Sequence, residues 1–271
     1  MAAARLASVD GAIGDPAEAT ISILDDGLLR GDGAFEMIKL YEGHPFALGP
    51  HIDRLARSAA AIELGLDRGA IEREAAAVVA AAGPLTGGLR IVLTRGGRRL
   101  MLVEELPEWP ASARIAIVTL TPSEILAGVK SISYAGNMQA SRIAAARGAD
   151  EAVYATAEGI VLEAPTSSVF WADADGSLRT PALATGILDS ITRDVVIAGS
   201  EVEQGAFAVG ELKSAREAFL ASTTREIQPI SSVDGVELPN PAGGPAAAAA
   251  SRVLADAVSA EREGPPAPRR E

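Results

Sequence analysis

Ile125-Leu126-Ala127-Gly128-Val129-Lys130-Ser131-Ile132-Ser133-Tyr134 sets a lysine in an apolar run with no acid close in sequence. The chain avoids lysine elsewhere: only three of its 24 basic residues, Lys39, Lys130 and Lys213, are lysine. An alanine-rich sequence of this kind suggests a GC-rich genome, in which arginine replaces lysine wherever only positive charge is needed. A lysine that persists is then needed for something arginine cannot do. Arginine stays protonated, whereas a desolvated lysine amine can lose its proton and attack a carbonyl. Lys130 has the desolvating neighbours such an amine needs. Lys213, in Glu211-Leu212-Lys213-Ser214-Ala215-Arg216-Glu217, reads as part of a solvated helix face. Lys39, alternating along Phe35 to Tyr41, reads as an ordinary strand lysine.

At 271 residues, 48% of them hydrophobic, the chain can bury one large core or two modest ones. No apolar run approaches the roughly 20 residues that span a bilayer. Met1 to Asp10 lacks the basic-then-apolar pattern of a signal peptide. A soluble cytoplasmic protein without a membrane partner is the expectation. A net charge of −12 turns the chain as a whole away from nucleic acid and anionic membranes, with a local basic pocket left open. With no cysteine there is no disulfide, thiolate nucleophile or zinc ribbon. Two histidines, His44 and His51, argue against a histidine triad or a metal cluster, so no metal site is expected. His51, in the first helical turn of Pro50-His51-Ile52-Asp53-Arg54, reads as a surface residue. Demanding chemistry in such a chain points to an organic cofactor.

Strand and helix signals come in blocks. Thr20 to Leu24 and Phe35 to Tyr41 alternate as strands around the bend Gly31-Asp32-Gly33, and Glu42-Gly43 turns the chain into Pro45 to Leu48. Pro50 opens a helix with Ile52, Leu55, Ala59 and Ile62 at helical spacing. A second helix, Ala70 to Ala82, stops at Gly83-Pro84. Leu89 to Thr94 and Leu100 to Val103 form a hairpin with a basic tip, Arg95-Gly96-Gly97-Arg98-Arg99. Pro107-Glu108-Trp109-Pro110 reads as a linker, giving a small N-terminal domain at 1–111 and a larger one at 112–262 that carries Lys130. Within the latter, Arg114 to Thr119, Ala152 to Thr156, Ile160 to Glu163, Val169 to Ala172, Ser177 to Thr180 and Ala218 to Ser222 read as strands. Asn137 to Arg147 and a segment from Ser190 read as helices, and 263–271 as a disordered tail. The fold class is α+β, or mixed α/β, in two domains.

Three further features bear on chemistry. Glu163 ends the apolar Ile160-Val161-Leu162 before Ala164-Pro165-Thr166. It is either a strand leaving the core or a carboxylate that holds a proton on a pyridine nitrogen. Gly186 to Arg193 turns into a helix with Asp189 or Ser190 able to cap it. Free amides at a helix start suit a phosphate, although most helix starts bind nothing. Ala221-Ser222-Thr223-Thr224-Arg225 places three hydroxyls after the buried run Phe219-Leu220; they hold phosphate or carboxylate oxygens, or simply turn the chain. An amine, a pyridine partner and a phosphate cradle are together what pyridoxal 5'-phosphate requires.

With these features the chain resembles the fold-type IV pyridoxal-phosphate enzymes, which include branched-chain and D-amino acid aminotransferases and aminodeoxychorismate lyase. The resemblance runs from about Asp10 to Gly235. It rests, in order, on Gly31-Asp32-Gly33-Ala34-Phe35-Glu36, His51-Ile52-Asp53-Arg54-Leu55, Val129 to Tyr134, Gly148-Ala149-Asp150-Glu151-Ala152, Leu162-Glu163, Thr180-Pro181, Gly186 to Arg193 and Phe219 to Ile230. It implies a D-amino acid aminotransferase-like fold and a homodimeric enzyme that moves an amino group between an amino acid or amine and a 2-oxo acid. Lys130 then resembles the lysine that forms the Schiff base and shuttles the Cα proton. Glu163 resembles the partner of the pyridine nitrogen, Tyr134 the donor to the ring's phenolic oxygen, and Leu188 the residue packed on the ring. Arg54, Ile191, Thr192 and Thr223, helped by Ser222, would hold the phosphate; Phe35, Arg98 and Thr224 are the substrate-side candidates.

The chain also departs from the family pattern. Glu163-Ala164-Pro165-Thr166-Ser167-Ser168 stands where relatives often have glycine and then a serine–asparagine pair, so an amide is lost at Ser168. Met37 takes the place of a glycine common in branched-chain enzymes, which puts their substrate pocket in doubt. The tip at Arg98-Arg99 resembles a loop that in D-amino acid aminotransferases reads carboxylate in the neighbouring subunit, with shorter spacing here. The alternative on the same scaffold is aminodeoxychorismate lyase, releasing pyruvate and 4-aminobenzoate. The sequence is silent on the preferred amino donor and acceptor, and on which face of Cα is deprotonated.

Overall fold

Two β-sheets organise the chain, one built before residue 105 and the other after residue 112. The structure is a computed structural model, and it describes residues 4–264. The first sheet holds β1 (Ala4–Val9), β2 (Ala12–Gly14), β3 (Gly33–Tyr41), β4 (His44–Pro45), β5 (Gly87–Thr94) and β6 (Arg99–Glu104), in the order β2-β1-β6-β5-β3-β4. Three helices accompany it: α1 (Asp26–Arg30), α2 (Leu48–Ala61) and α3 (Arg68–Ala82). Ile52, Leu55 and Ala59 of α2 pack with Ile38 and Leu40 of β3 and with Leu89 and Ile91 of β5, as their spacing predicts. That helix begins before the expected Pro50, which lies in its first turn, where a missing N–H costs nothing.

Two strand expectations fail here. Thr20 to Leu24 alternates as a strand should, yet these residues join no sheet, and Ile23 and Leu24 are 73% and 80% exposed. The chain instead turns into α1, whose first turn Asp25 caps by accepting the Gly27 N–H. Of Pro45 to Leu48, Pro45 pairs with β3 and the Phe46 N–H donates to the Lys39 carbonyl, but the strand goes no further, because α2 begins at Leu48. β1 and β2 carry too little apolar periodicity to be read from sequence.

The second sheet begins after Pro110. Its elements are β7 (Ala113–Thr119), α4 (Ala135–Ala146), β8 (Glu151–Ala155), β9 (Ser168–Ala172), β10 (Leu178–Pro181), α5 (Ile191–Ala198), β11 (Val202–Gly205), α6 (Val209–Lys213), β12 (Glu217–Ser222), β13 (Glu226–Val233), β14 (Val236–Glu237) and α7 (Pro245–Glu263). The strand order is β11-β10-β9-β12-β13-β7-β8, with β14 on β13, and parallel and antiparallel pairs mix. β12 is buried along its whole length, with Phe219 stacked on Phe170 at 5.1 Å between centroids. Ile160 to Glu163 is not a full strand. Isolated bridges, Ala155 to Val161 and Ile160 to Ala208, and a few backbone bonds such as Leu162 N–H to the Tyr154 carbonyl tie it down. α7 was not legible; it covers β12 and β13 with alanines and Leu254. Of the expected tail 263–271, Glu263 closes α7 and 265–271 lie outside the described residues.

β3 decides what faces what. Its even-numbered Ala34, Ile38 and Leu40 join the core under α2, while odd-numbered Phe35, Lys39 and Tyr41 turn toward residues of the second half. The period of two is the strand rule at work, but both faces are covered, so no solvent side betrays it.

Candidate active site

Lys130 is held in place by the first sheet. Phe35 N–H donates to the Lys130 carbonyl and Ile132 N–H to the Gly33 carbonyl, each at 3.0 Å, with a bridge between Ala34 and Ser131. Lys130 N–H donates to Ser58 Oγ on α2, also at 3.0 Å. The glycine-rich bend makes this docking possible. Gly31 ends α1 in the left-handed region at φ 70°, and a Cβ on Gly33 would lie 2.2 Å from the Leu93 carbonyl oxygen and 2.8 Å from Ile132 Cδ1. A side chain there would part β3 from β5 and press on Ile132 of the lysine segment.

The Lys130 amine lies 4.5 Å from the centre of the Phe35 ring, and Tyr134 meets that ring edge-on at 5.4 Å. Burial pushes the amine down to about 8; Arg54 and Arg90 add to the push, while Glu36 and Glu163 oppose it. Across from it, burial pushes the Glu163 carboxyl up to about 7 against the Leu188 N–H, Lys130, Arg54 and Arg193. Leu188 N–H donates to Glu163 Oε1 at 3.0 Å, and Oε2 has no donor among the described residues. The backbone of Glu163 is fixed by the Tyr154 N–H on its carbonyl at 2.8 Å. A poorly hydrated carboxylate with one oxygen unsatisfied suits a cationic N–H partner such as a protonated pyridine. Tyr134 behaves differently from expectation: its hydroxyl donates to the Pro165 carbonyl, which Asn137 Nδ2 also reaches at 2.9 Å. To donate to a ring oxygen it must leave that bond, and Asn137 would keep the carbonyl satisfied.

Ile191, Thr192, Ser222 and Thr223 converge on one small cavity, with His51 and Lys39 also on its wall. Ser190 caps α5 by accepting the Arg193 N–H. The N–H groups of Ile191, Thr192, Thr223 and Thr224 find no acceptor among the described residues. Unpaired amides of a helix start and a turn around one cavity are the donor set a phosphate needs, and these residues fit it.

Arg54 is committed elsewhere in part. Its Nε and Nη2 donate to the two oxygens of the fully buried Glu36, each at 2.7 Å, and Nη1 donates to the Asp189 carbonyl at 2.8 Å. His51 Nδ1 sits 2.7 Å from the same carboxylate. His51 is therefore buried at 1% exposure, not on the surface as its helical first turn suggests. Burial drives the Glu36 carboxyl upward, but the bonds from Arg54 and His51 prevail and hold it at about 2. Burial lowers the His51 imidazole. Sequence reasoning missed Glu36. The available signal was a lone acid in the apolar strand Ala34 to Ile38, facing His51, Arg54 and Ser58 at helical spacing on α2. It also missed Arg90, whose guanidinium lies 5.9 Å from the Phe35 ring centre and is paired with Glu104.

The basic hairpin tip is not a free positive patch. Arg98 pairs with Asp10 at 2.7 Å, Arg99 with Glu74 at 2.8 Å, and Arg95 with Asp32 at 2.9 Å. Asp10 and Glu74 come from segments too distant in sequence to be foreseen as partners. Within one subunit, none of these contacts brings Arg98 to Lys130. Phe35 and Leu188 do lie at the lysine–carboxylate pair, the first by its ring and the second by its N–H. Thr224 is half-buried in the turn that Arg225 braces from behind. The Arg225 guanidinium pairs with Glu151 and lies 3.6 Å over the ring of linker residue Trp109.

A family model described as amino-transferase class IV matches residues 33–233. A putative branched-chain-amino-acid aminotransferase of Methanocaldococcus jannaschii is 31% identical over 252 residues, covering 84% of this chain and 87% of that one. A D-alanine aminotransferase of Listeria monocytogenes is 32% identical over 254 residues, with the same coverages of 84% and 87%. A fold IV transaminase from Curtobacterium pusillum has a similar structure, with a TM-score of 0.81 at 31% identity over 92% of this chain and 91% of that one. These relatives carry the names of transaminases, not of a lyase.

Proposed function

We propose, since the chain belongs to the class IV aminotransferases, that Lys130 and Glu163 are the catalytic pair of its pyridoxal 5'-phosphate site. The protein is a pyridoxal-phosphate-dependent aminotransferase that moves an amino group from an amino acid to a 2-oxo acid. The observation that carries the assignment is a half-buried amine and a half-buried, half-satisfied carboxylate that act on each other's proton affinity, in a chain whose helix start and turn at Ile191, Thr192 and Thr223 leave amides unpaired. When bound, the cofactor supplies an electron-withdrawing ring that makes the substrate Cα–H acidic. Lys130 is the residue that would hold the cofactor through its free amine and, once a substrate amine has displaced it, would take up and return the Cα proton at Nζ. Glu163 holds a proton on the ring nitrogen, with Leu188 N–H fixing its orientation. The amides of Ile191, Thr192 and Thr223, the Ser222 and Thr223 hydroxyls and the uncommitted N–H groups of Arg54 grip the phosphate. Phe35 and Tyr134 keep water from the amine, and the Thr224 amide meets the substrate carboxylate.

A low amine pKa has a measurable consequence. Burial holds Lys130 near 8, so its neutral, nucleophilic fraction grows as pH rises through that value. Apoprotein should capture pyridoxal phosphate about tenfold faster above pH ~9 than at pH ~7, followed by the rise in visible absorbance. A rate still climbing beyond pH ~10 would mean an ordinary lysine.

The enzyme is read as a homodimer. Ile23, Leu24, Leu28 and Leu29, each more than half exposed, gather around α1 and need a cover that a second copy can give. Sedimentation at the mass of one 27.7 kDa chain at micromolar concentration would refute it. No helix among the described residues is long and apolar enough to cross a membrane; a cytoplasmic location is proposed with this reading and is checked by cell fractionation.

Arg98 can act on substrate only if a second copy carries its hairpin to the pocket, using N–H groups beyond its Asp10 bond. In that case Arg98→Ala raises KM for 2-oxoglutarate several-fold, and for pyruvate less, with cofactor affinity unchanged. Equal KM values in variant and wild type would leave Arg98 as the partner of Asp10 alone.

A further inference from the structure

Lys39 has no place in the reaction as read above, yet its side chain is only 11% exposed. It stands on the face of β3 that carries Phe35 and Tyr41. Its Nζ lies 2.9 Å from Glu226 Oε1, and the Tyr41 hydroxyl donates to the same oxygen at 2.6 Å. Glu226 directly follows the Thr223–Arg225 turn and adopts a left-handed backbone, φ 57°. Lys39 lines the small cavity shared by Ile191, Thr192, Ser222 and Thr223, whereas Glu226 does not. Lys39 therefore contributes to the cavity wall while its carboxylate partner does not. An ammonium has three donors; one serves Glu226 and the rest are free to serve an anion. Arg54, occupied by Glu36 and the Asp189 carbonyl, supplies only part of the positive charge that a phosphate dianion calls for.

We propose that Lys39 is a phosphate-binding residue, a second cation for the cradle, which Glu226 holds in part and competes for. The proposal rests on reading that cavity as the cofactor's phosphate site. It accounts for a lysine kept in an arginine-rich chain: the cavity is small and takes a compact point charge, not a planar fork. The competing role is a staple between β3 and β13 that never senses the ligand.

Titrating apoprotein with pyridoxal phosphate and with pyridoxal, which lacks the phosphate, separates the two. Lys39→Met should raise the Kd for pyridoxal phosphate about tenfold, or about 1.4 kcal/mol, and leave that for pyridoxal within about twofold. Glu226→Gln frees the ammonium, so its Kd for pyridoxal phosphate should stay equal or fall. Parallel weakening of both ligands in the two variants, or no change in either, overturns the role of Lys39. Should Lys39→Met not fold, Glu226→Gln decides alone, since weaker binding of pyridoxal phosphate there contradicts the proposal. Wild-type apoprotein that binds no pyridoxal phosphate would instead strike the reading of the cavity itself.

Discussion

Lys130→Ala should abolish transamination and the absorbance of lysine-bound cofactor, while the protein folds and still takes up pyridoxal phosphate non-covalently. The residues that hold the lysine act through its backbone: the Phe35 N–H on its carbonyl and its own N–H on Ser58 Oγ survive truncation at Cβ. The amine itself is an unfavourable tenant, because burial disfavours its charged form. Deleting it should therefore cost little stability. No substitute is at hand, since Lys39 is paired with Glu226 and Lys213 with Asp234. A panel of amino acids in both enantiomers, read by oxo-acid formation, checks the loss against whichever substrate proves best. Circular dichroism shows whether the fold is kept. Normal turnover by the variant without added amine would remove Lys130 from the mechanism.

How legible this was depended on the range of the interaction. Helices α2 and α3, strands β3, β5, β6, β7 and β12, and the capped start of α5 follow from local periodicity and local caps, and the structure has them. Lys130 and Glu163 could be singled out because each is a polar residue in an apolar run. Their proximity could not, since it depends on residues 130–132 docking on β3, far back in the chain. The same reason hid Glu36. A buried acid reads as a fault in a strand until His51 and Arg54, on another element, are seen to satisfy it. Arg98 failed in the opposite direction. Three arginines on one tip read as a charged patch, and their neutralisation by Asp10, Glu74 and Asp32 is tertiary. The Thr20 to Leu24 run shows a further limit: an apolar alternation left exposed serves something other than this chain's own core.

Glu163→Gln should keep cofactor binding and lose about two to four orders of magnitude in rate. The glutamine fits the same space, and its Oε1 can still accept the Leu188 N–H. Its amide then presents a donor where the carboxylate presented an acceptor, so the ring nitrogen is favoured without its proton and the ring withdraws electrons less strongly. Stability should move the other way. In apoprotein the native carboxyl keeps its proton to about 7, against 4.5 in the unfolded chain. The native state thus binds more protons between those values, and wild type loses stability as pH rises through them. A neutral amide escapes that loss. Melting of the Glu163→Gln apoprotein should match or exceed wild type at pH ~8, and the advantage should shrink toward pH ~5. A structural carboxylate would give the reverse, lower melting at pH ~8 with activity falling only in proportion to unfolded protein. Turnover within about twofold of wild type, near 0.4 kcal/mol in barrier, would contradict the role given to Glu163.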